Sequence, residues 1–307
     1  MPGLSFEGLA PVSPTAVKPT APHHGKFLHP HRVFTAFKYT IYVLLGVNAY
    51  LFFREDLAAG AEMFNHVLTW SNVVEVFTAS TDTTAWLILL LLFELETAVI
   101  SDDKLQGGLK WALMGVRVVC YFFIVSAFFG YVGKYGMITN LAPIEIADVC
   151  SLMGADWNYV VDLDDYPPID AESCLLLQGQ QLLLVSGTDI IGTRAALDSA
   201  RDLAIIDIVN AGTWLIIVVL LEAEVFMQLR DLLTGAILKI NKYLKGFFYS
   251  LLFVCAIYWG FEGSFLDFWD AFLWLVAFIF IELNIFQWHE ETEEAWEAAQ
   301  DIGENSV

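Results

Sequence analysis

The chain has 307 residues, 57% of them hydrophobic and 15% aromatic, with a mean hydropathy of +0.58 and only 17% charged. A soluble domain carries roughly a quarter charged residues, and here the apolar residues fall into blocks of about 20, which excludes an ordinary soluble enzyme and a disordered chain. Of the net charge of −21, the stretch 134–202 (eleven acids, three bases) and the tail from Glu290 (seven acids, no base) account for −15.

The expected fold class is an all-α polytopic membrane protein with six transmembrane helices built as three repeated helical hairpins. In chain order, residues 1–32 form a Pro/Ser/Thr/His-rich tail without an apolar run, so no cleavable signal peptide is expected. Its His23, His24, His29 and His31 could ligate a metal but read as a solvated tail. Residues 33–100 hold hairpin one, with spans at Phe34–Phe53 and Ala85–Ile100. The second span is short, and the apolar Val73–Ala79 before it extends it. An inner linker and span three (Trp111–Val132) occupy 101–133. The acidic extracytoplasmic loop domain runs over 134–202, followed by span four at 203–229 (Leu203–Leu229). A second inner linker and hairpin three, with spans Tyr243–Phe261 and Phe265–Trp288, occupy 230–289. Residues 290–307 are an acidic cytoplasmic tail. It reads either as a solvated end or as a helix, anchored by Trp288 and Trp296, that docks on a basic partner. All nine prolines lie outside the spans, so straight, fully hydrogen-bonded helices are expected.

Orientation follows from the bases. With six spans, Lys18, Lys26, Arg32, Lys38, Lys104, Lys110, Arg117, Arg230, Lys239, Lys242 and Lys245 share a side with both termini. Arg54, Lys134, Arg194 and Arg201 fall on the other. The positive-inside rule then makes both termini cytoplasmic, in a plasma or bacterial inner membrane. Cys150 and Cys174 both lie in the outer loop and are expected to form a disulfide. Cys120 and Cys255 lie inside spans as small packing residues.

The chain repeats itself. AWLILLLLFELE (85–96), TWLIIVVLLEAE (213–224) and LWLVAFIFIELN (273–284) each place an acid eight residues after a Trp: Glu94, Glu222 and Glu282. Ten residues after the Trp come Glu96, Glu224 and Asn284. Upstream, Asp207 and Asp267 precede their Trp by seven residues, and Glu75 precedes Trp86 by eleven. On a continuous helix these three form an outer acidic ring. Lys38-x-x-x-Tyr42, Arg117-x-x-x-Tyr121 and Lys245-x-x-x-Tyr249 open the odd spans. The repeat unit is thus a base-Tyr helix going out and an acid-Trp-Leu-acid helix returning. At 100° per residue the two later acids flank the Trp by roughly 80° on either side, so one faces the interior and the other a neighbouring helix.

A carboxylate at that depth must be paired, protonated or hydrated. One reading pairs Glu94, Glu222 and Glu282 with Arg117, Lys245 and Lys38 across neighbouring helices, making a scaffold or non-catalytic subunit of a membrane complex. The other gathers the three acids round a pseudo-threefold axis as a cation or proton site. Glu96 and Glu224 are expected to matter less, because the third copy carries a neutral Asn284. The run Asp162, Asp164, Asp165 and Asp170 lacks the glycine and distal Glu of an EF-hand and reads as a solvated loop. His66 and His289 sit near the ends of different spans, so a b-type haem is not expected. No thiol-histidine pair, nucleophile elbow, P-loop or dinucleotide fingerprint appears. An enzyme is therefore the least supported class, and no cofactor is expected. Which metal, if any, is not legible. The expected partners are the lipid bilayer and, in the scaffold reading, other membrane subunits. Nucleic acid is excluded, because no basic stripe exists to neutralise phosphates.

Overall fold

The computed structural model describes residues 30–63, 73–96, 107–228 and 235–278. The chain divides into two units, Met1–Phe37 and Lys38–Val307. In the first, the described residues form the opening turns of a helix. His31 falls in the first turn of α1; His23, His24, His29, His66, His289, Glu282, Asn284 and the acidic tail lie outside what is described.

Among the described residues the fold is mostly helical. The helices are α1 (Pro30–Met63), α2 (Val73–Val76), α3 (Thr78–Glu94), α4 (Gly108–Thr139), α5 (Ala171–Leu177), α6 (Arg194–Gln228), α7 (Gly235–Glu262) and α8 (265–278). Among the described residues, four stretches are long and apolar enough to cross a membrane: Phe34–Ala61, Gly108–Thr139, Arg194–Glu224 and Lys239–Glu262. Their outer faces carry Val118, Phe122, Phe129, Phe253 and Val254, all largely exposed. A contiguous apolar surface of this kind needs lipid or a partner to cover it. Inward, Leu45, Ile124, Ala127, Ile217, Leu252, Leu273 and Ala277 are buried.

The expectation of straight helices fails at one place. Phe77 interrupts the run that begins at Val73, with φ −100° and ψ 35°. The backbone N–H groups at a helix start need acceptors other than the helix's own carbonyls. The backbone N–H of Ser80 donates instead to Asp56 Oδ2 of α1 at 2.9 Å. A carboxylate from a neighbouring helix thus caps α3 where the helix dipole favours negative charge. Close approach at Gly60 allows this. A Cβ there would sit 2.3 Å from Val76 Cγ1. Gly60→Ala is therefore expected to push α1 from α2, uncap α3 and cost about 1–3 kcal/mol, the usual range for overpacking. Thermal unfolding followed by tryptophan fluorescence checks it.

The segment between α4 and α6 departs from an all-α chain. It forms a four-stranded sheet from β1 (Leu141–Pro143), β2 (Asn158–Tyr159), β3 (Leu182–Val185) and β4 (Ile190–Thr193), in the order β1-β3-β4-β2. β3 pairs antiparallel with β1 (Leu141 opposite Val185) and with β4 (Leu182 opposite Thr193), and β2 runs parallel to β4. The β3–β4 turn needs a left-handed residue, which Gly187 supplies at φ +88°. Short apolar runs separated by a Gly-containing turn are a hairpin signal, obscured here by the acids around them. The Cys150–Cys174 disulfide forms as expected. In the chain-entropy model, closing its 24-residue loop contributes about 3 kcal/mol. Asp170 caps α5, accepting from the N–H groups of Glu172 and Ser173, and these bonds hold its carboxyl below its ordinary value.

Two cores stabilise this outer unit. One is internal, built on Val149, Ile169, Cys174, Leu177, Leu182 and Ile191. The other runs from the sheet into the helix ends, joining Val160, Leu163, Tyr166, Val185 and Ile190 to Ala59, Ile138, Leu203, Cys255 and Trp259. The outer unit therefore sits on the helices through packed side chains, which fixes the loop 161–165 above the bundle.

Candidate functional site: an acidic chamber above three tryptophans

At one level of the bundle, bases meet acids. Lys38 Nζ lies 2.6 Å from Glu94 Oε1, and both side chains are buried. Tyr39 and Tyr42 donate to the same carboxylate at 3.2 and 3.4 Å. Arg117 meets Glu96 at 2.6 Å and Lys245 meets Glu224 at 3.0 Å. Tyr121 donates to Glu222 Oε1 at 2.8 Å. The bases Lys38, Arg117 and Lys245 are thus ion-paired, but not to the acids foreseen. Arg117 and Lys245 each reach the neighbouring segment in the expected order, and take the acid two residues further on. Two residues turn a helix by about 200°, which carries Glu96 and Glu224 onto the face of the adjoining helix. Glu96 and Glu224, expected to matter less than Glu94 and Glu222, are the acids that pair with Arg117 and Lys245. Glu94 and Glu222 have different surroundings, one buried in a pair and the other exposed against a phenol. Glu282 lies outside the described residues, and so does the side chain of Glu75.

Further along the helices, three indoles meet. Trp86 packs on Trp214 and Trp274 with ring centroids 5.8 and 6.5 Å apart. Phe278 lies 4.4 Å from Trp214 and 6.4 Å from both Trp86 and Trp274. On one side of this aromatic layer is a cavity of about 70 Å³, room for a few waters or one small ion.

Seven carboxylates line it among the described residues: Glu55 and Asp56 of α1, Asp82 of α3, Asp164 of the outer loop, Asp207 of α6, and Asp267 and Asp270 of α8. The one base is Lys134 of α4. Each acid is held. Trp86 and Tyr131 hydrogen-bond Asp82, Trp259 bonds Asp207 and Trp274 bonds Asp270. Asn48 Nδ2 donates to Asp270 at 2.9 Å, and Ser264 Oγ donates to Asp267 at 2.7 Å. Such donors stabilise carboxylates without cancelling their charge. Lys134 is paired with Asp164.

A second cavity of about 300 Å³ adjoins the first and shares Glu55, Asp164, Asp207, Trp259 and Asp267 with it. It adds Asp162 and Asp165 of the outer loop. Burial pushes the Asp162 carboxyl above its ordinary value, and its neighbours Asp164 and Asp165 add to this. The two cavities thus share acidic lining between the 161–165 loop and the tryptophan layer. Among the described residues, no three His, Cys, Asp or Glu side chains converge closely enough to hold one metal ion.

Of the sequence candidates, Asp207 and Asp267 are brought together in this chamber. Asp162, Asp164 and Asp165, read as a solvated loop, line the second cavity, and Asp164 pairs with a buried lysine. Asp56, Asp82, Asp270, Asn48 and Lys134 were missed as site residues. One signal was available: Asp82, Asn210 and Asp270 each stand four residues before their Trp, and all three line the cavity. Comparison with protein families, with curated proteins and with solved structures finds no match.

Proposed function

We propose that this is an integral membrane protein that handles a cation or proton through the carboxylates of the outer chamber. The observation that carries the reading is seven carboxylates against one base around a buried cavity open toward an acidic vestibule. A site of that charge concentrates cations, and buried acids near helices are functional by default. In this reading six spans form three hairpins, both termini are cytoplasmic, and the chamber faces the outer side. Support for the repeat comes from matched positions. Residues seven before the Trp (Ala79, Asp207, Asp267) and four before it (Asp82, Asn210, Asp270) line the chamber in all three copies. So do residues fourteen after the odd-span base: Phe52, Tyr131 and Trp259. On this register Ala79, not Glu75, matches Asp207 and Asp267. The inner pairs of Lys38, Arg117 and Lys245 set helix register instead of forming the ion site.

The test is ion flux into liposomes, read with a pH dye and with cation-sensitive dyes. Asp82→Asn and Asp270→Asn are expected to lower flux by about ten-fold or more, the effect of losing a charged hydrogen-bonded group. Glu222→Gln is expected to leave it unchanged. Folded Asp variants with wild-type flux, or a wild-type protein that moves neither protons nor cations, would refute the reading. A second reading, a subunit anchoring a larger membrane complex, is favoured by Leu175 and Leu176 of α5, which project from the outer unit largely exposed. Purification from native membranes with a stoichiometric partner is its expected signature.

A further inference from the structure

The lysine in the chamber calls for a reason. A buried ammonium costs desolvation energy, which an ion pair only partly offsets. It is not needed to hold the outer loop down. Leu163 and Tyr166, either side of Asp164, are 3% and 2% exposed in the core that already joins loop to helices. Seventeen residues after their base, the other two odd spans carry Glu55 and Glu262 where this one carries Lys134. Among the described residues, Lys134 is the one base that lines the chamber.

Its position is specific. The Lys134 side chain is 4% exposed, while Asp164, its partner, is 32% exposed. Asp164 borders both cavities, and Lys134 borders only the inner one. The pair therefore stands at the boundary between vestibule and chamber. Ionisable groups act on the ammonium from every side: Glu55 and Asp56 on α1, Asp164 and Tyr166 on the loop, Asp207 on α6 and Asp267 on α8.

We infer that Lys134 is a tethered counter-cation, whose ammonium holds Asp164 at the mouth of the inner chamber and must yield that carboxylate to an incoming inorganic cation. This rests on the cation reading above and adds a residue that sets the affinity. Without the ammonium, Asp164 and Asp56 are free to attract a cation. Without Asp164, the ammonium turns to the chamber carboxylates and competes more strongly.

The experiment measures the thermal midpoint of the purified full-length protein against NaCl, KCl or CaCl2, with choline chloride holding ionic strength constant. One charge at contact distance shifts an ionic equilibrium by about one to three decades. Half-maximal stabilisation is thus expected at about ten-fold lower cation concentration in Lys134→Met, and about ten-fold higher in Asp164→Asn. Lys134→Arg is expected to match the wild type. An anchor without this role would lower the midpoint in the Met and Asn variants and leave the half-maximal concentration unchanged, and that result overturns the inference. If Lys134→Met does not fold, Asp164→Asn decides alone, and an unchanged half-maximal concentration overturns it. A wild-type protein that carries protons into liposomes but is stabilised by none of the three salts overturns this inference and leaves the broader reading standing. A wild-type protein inert in both assays overturns both.

Discussion

Lys38→Met is expected to destabilise the protein by about 3–5 kcal/mol, the range for removing one partner of a buried pair. The two side chains are 9% and 6% exposed, so Glu94 would keep its charge with little solvent to receive it. Tyr39 and Tyr42 would still donate to it, but neither carries a compensating charge. Adding Glu94→Gln to Lys38→Met should restore much of the loss, because it removes the stranded charge. Arg117→Met should cost less. The Arg117–Glu96 side chains are 30% and 26% exposed, so Glu96 retains solvent when its partner is lost. Lys245→Met, with 15% and 23% exposure in its pair, should fall between them. Thermal unfolding in a single detergent ranks the three. Equal losses at all three positions would mean that burial does not decide the energetics of this belt.

Trp86→Ala is expected to have the second large effect, on stability and on flux together. Trp86 touches Trp214, Trp274 and Phe278, and it is one of the two side chains that hydrogen-bond Asp82. Removing a buried Trp costs about 3–5 kcal/mol in lost transfer energy and residual cavity. The hole would lie beneath the chamber floor, where the aromatic layer separates the carboxylates from the rest of the bundle. Under the proposed function, liposomes containing Trp86→Ala should leak ions with reduced selectivity, while Trp86→Phe should keep most of the barrier and lose the bond to Asp82. A folded Trp86→Ala protein that neither leaks nor loses stability would show that the layer is not the floor.

The ion-pair belt illustrates what periodicity can and cannot deliver. The helical angle between the two later acids led to the expectation that one faces inward and the other a neighbour. In the structure both acids of each described segment meet a neighbouring helix, Glu94 and Glu96 through Lys38 and Arg117, Glu222 and Glu224 through Tyr121 and Lys245, because helix rotation in the bundle decides which face each acid presents. The rotation puts Glu96 and Glu224 on Arg117 and Lys245. Lys38 turns to Glu94 of its own segment instead.

By itself the sequence determined a mostly helical chain with membrane-crossing helices, because blocks of about 20 apolar residues leave no other way to satisfy the backbone in lipid. It determined the disulfide, since Cys150 and Cys174 are the two cysteines in the polar segment between α4 and α6. It placed Trp86, Trp214 and Trp274 in matching positions, and the structure packs them together. Only the tertiary structure decided where the acids gather. Asp56 comes to α3 because Phe77 breaks a helix that contains no proline, and the freed N–H of Ser80 takes the carboxylate. Asp164, which read as one of several solvated loop acids, reaches Lys134 because Leu163 and Tyr166 pack into the core and carry the residue between them to the helix ends. Local pattern sets the period and the polarity of each segment. Helix rotation, a break in a helix and the docking of a small sheet are set by contacts between residues far apart in the chain, and those contacts decide which charges share a cavity.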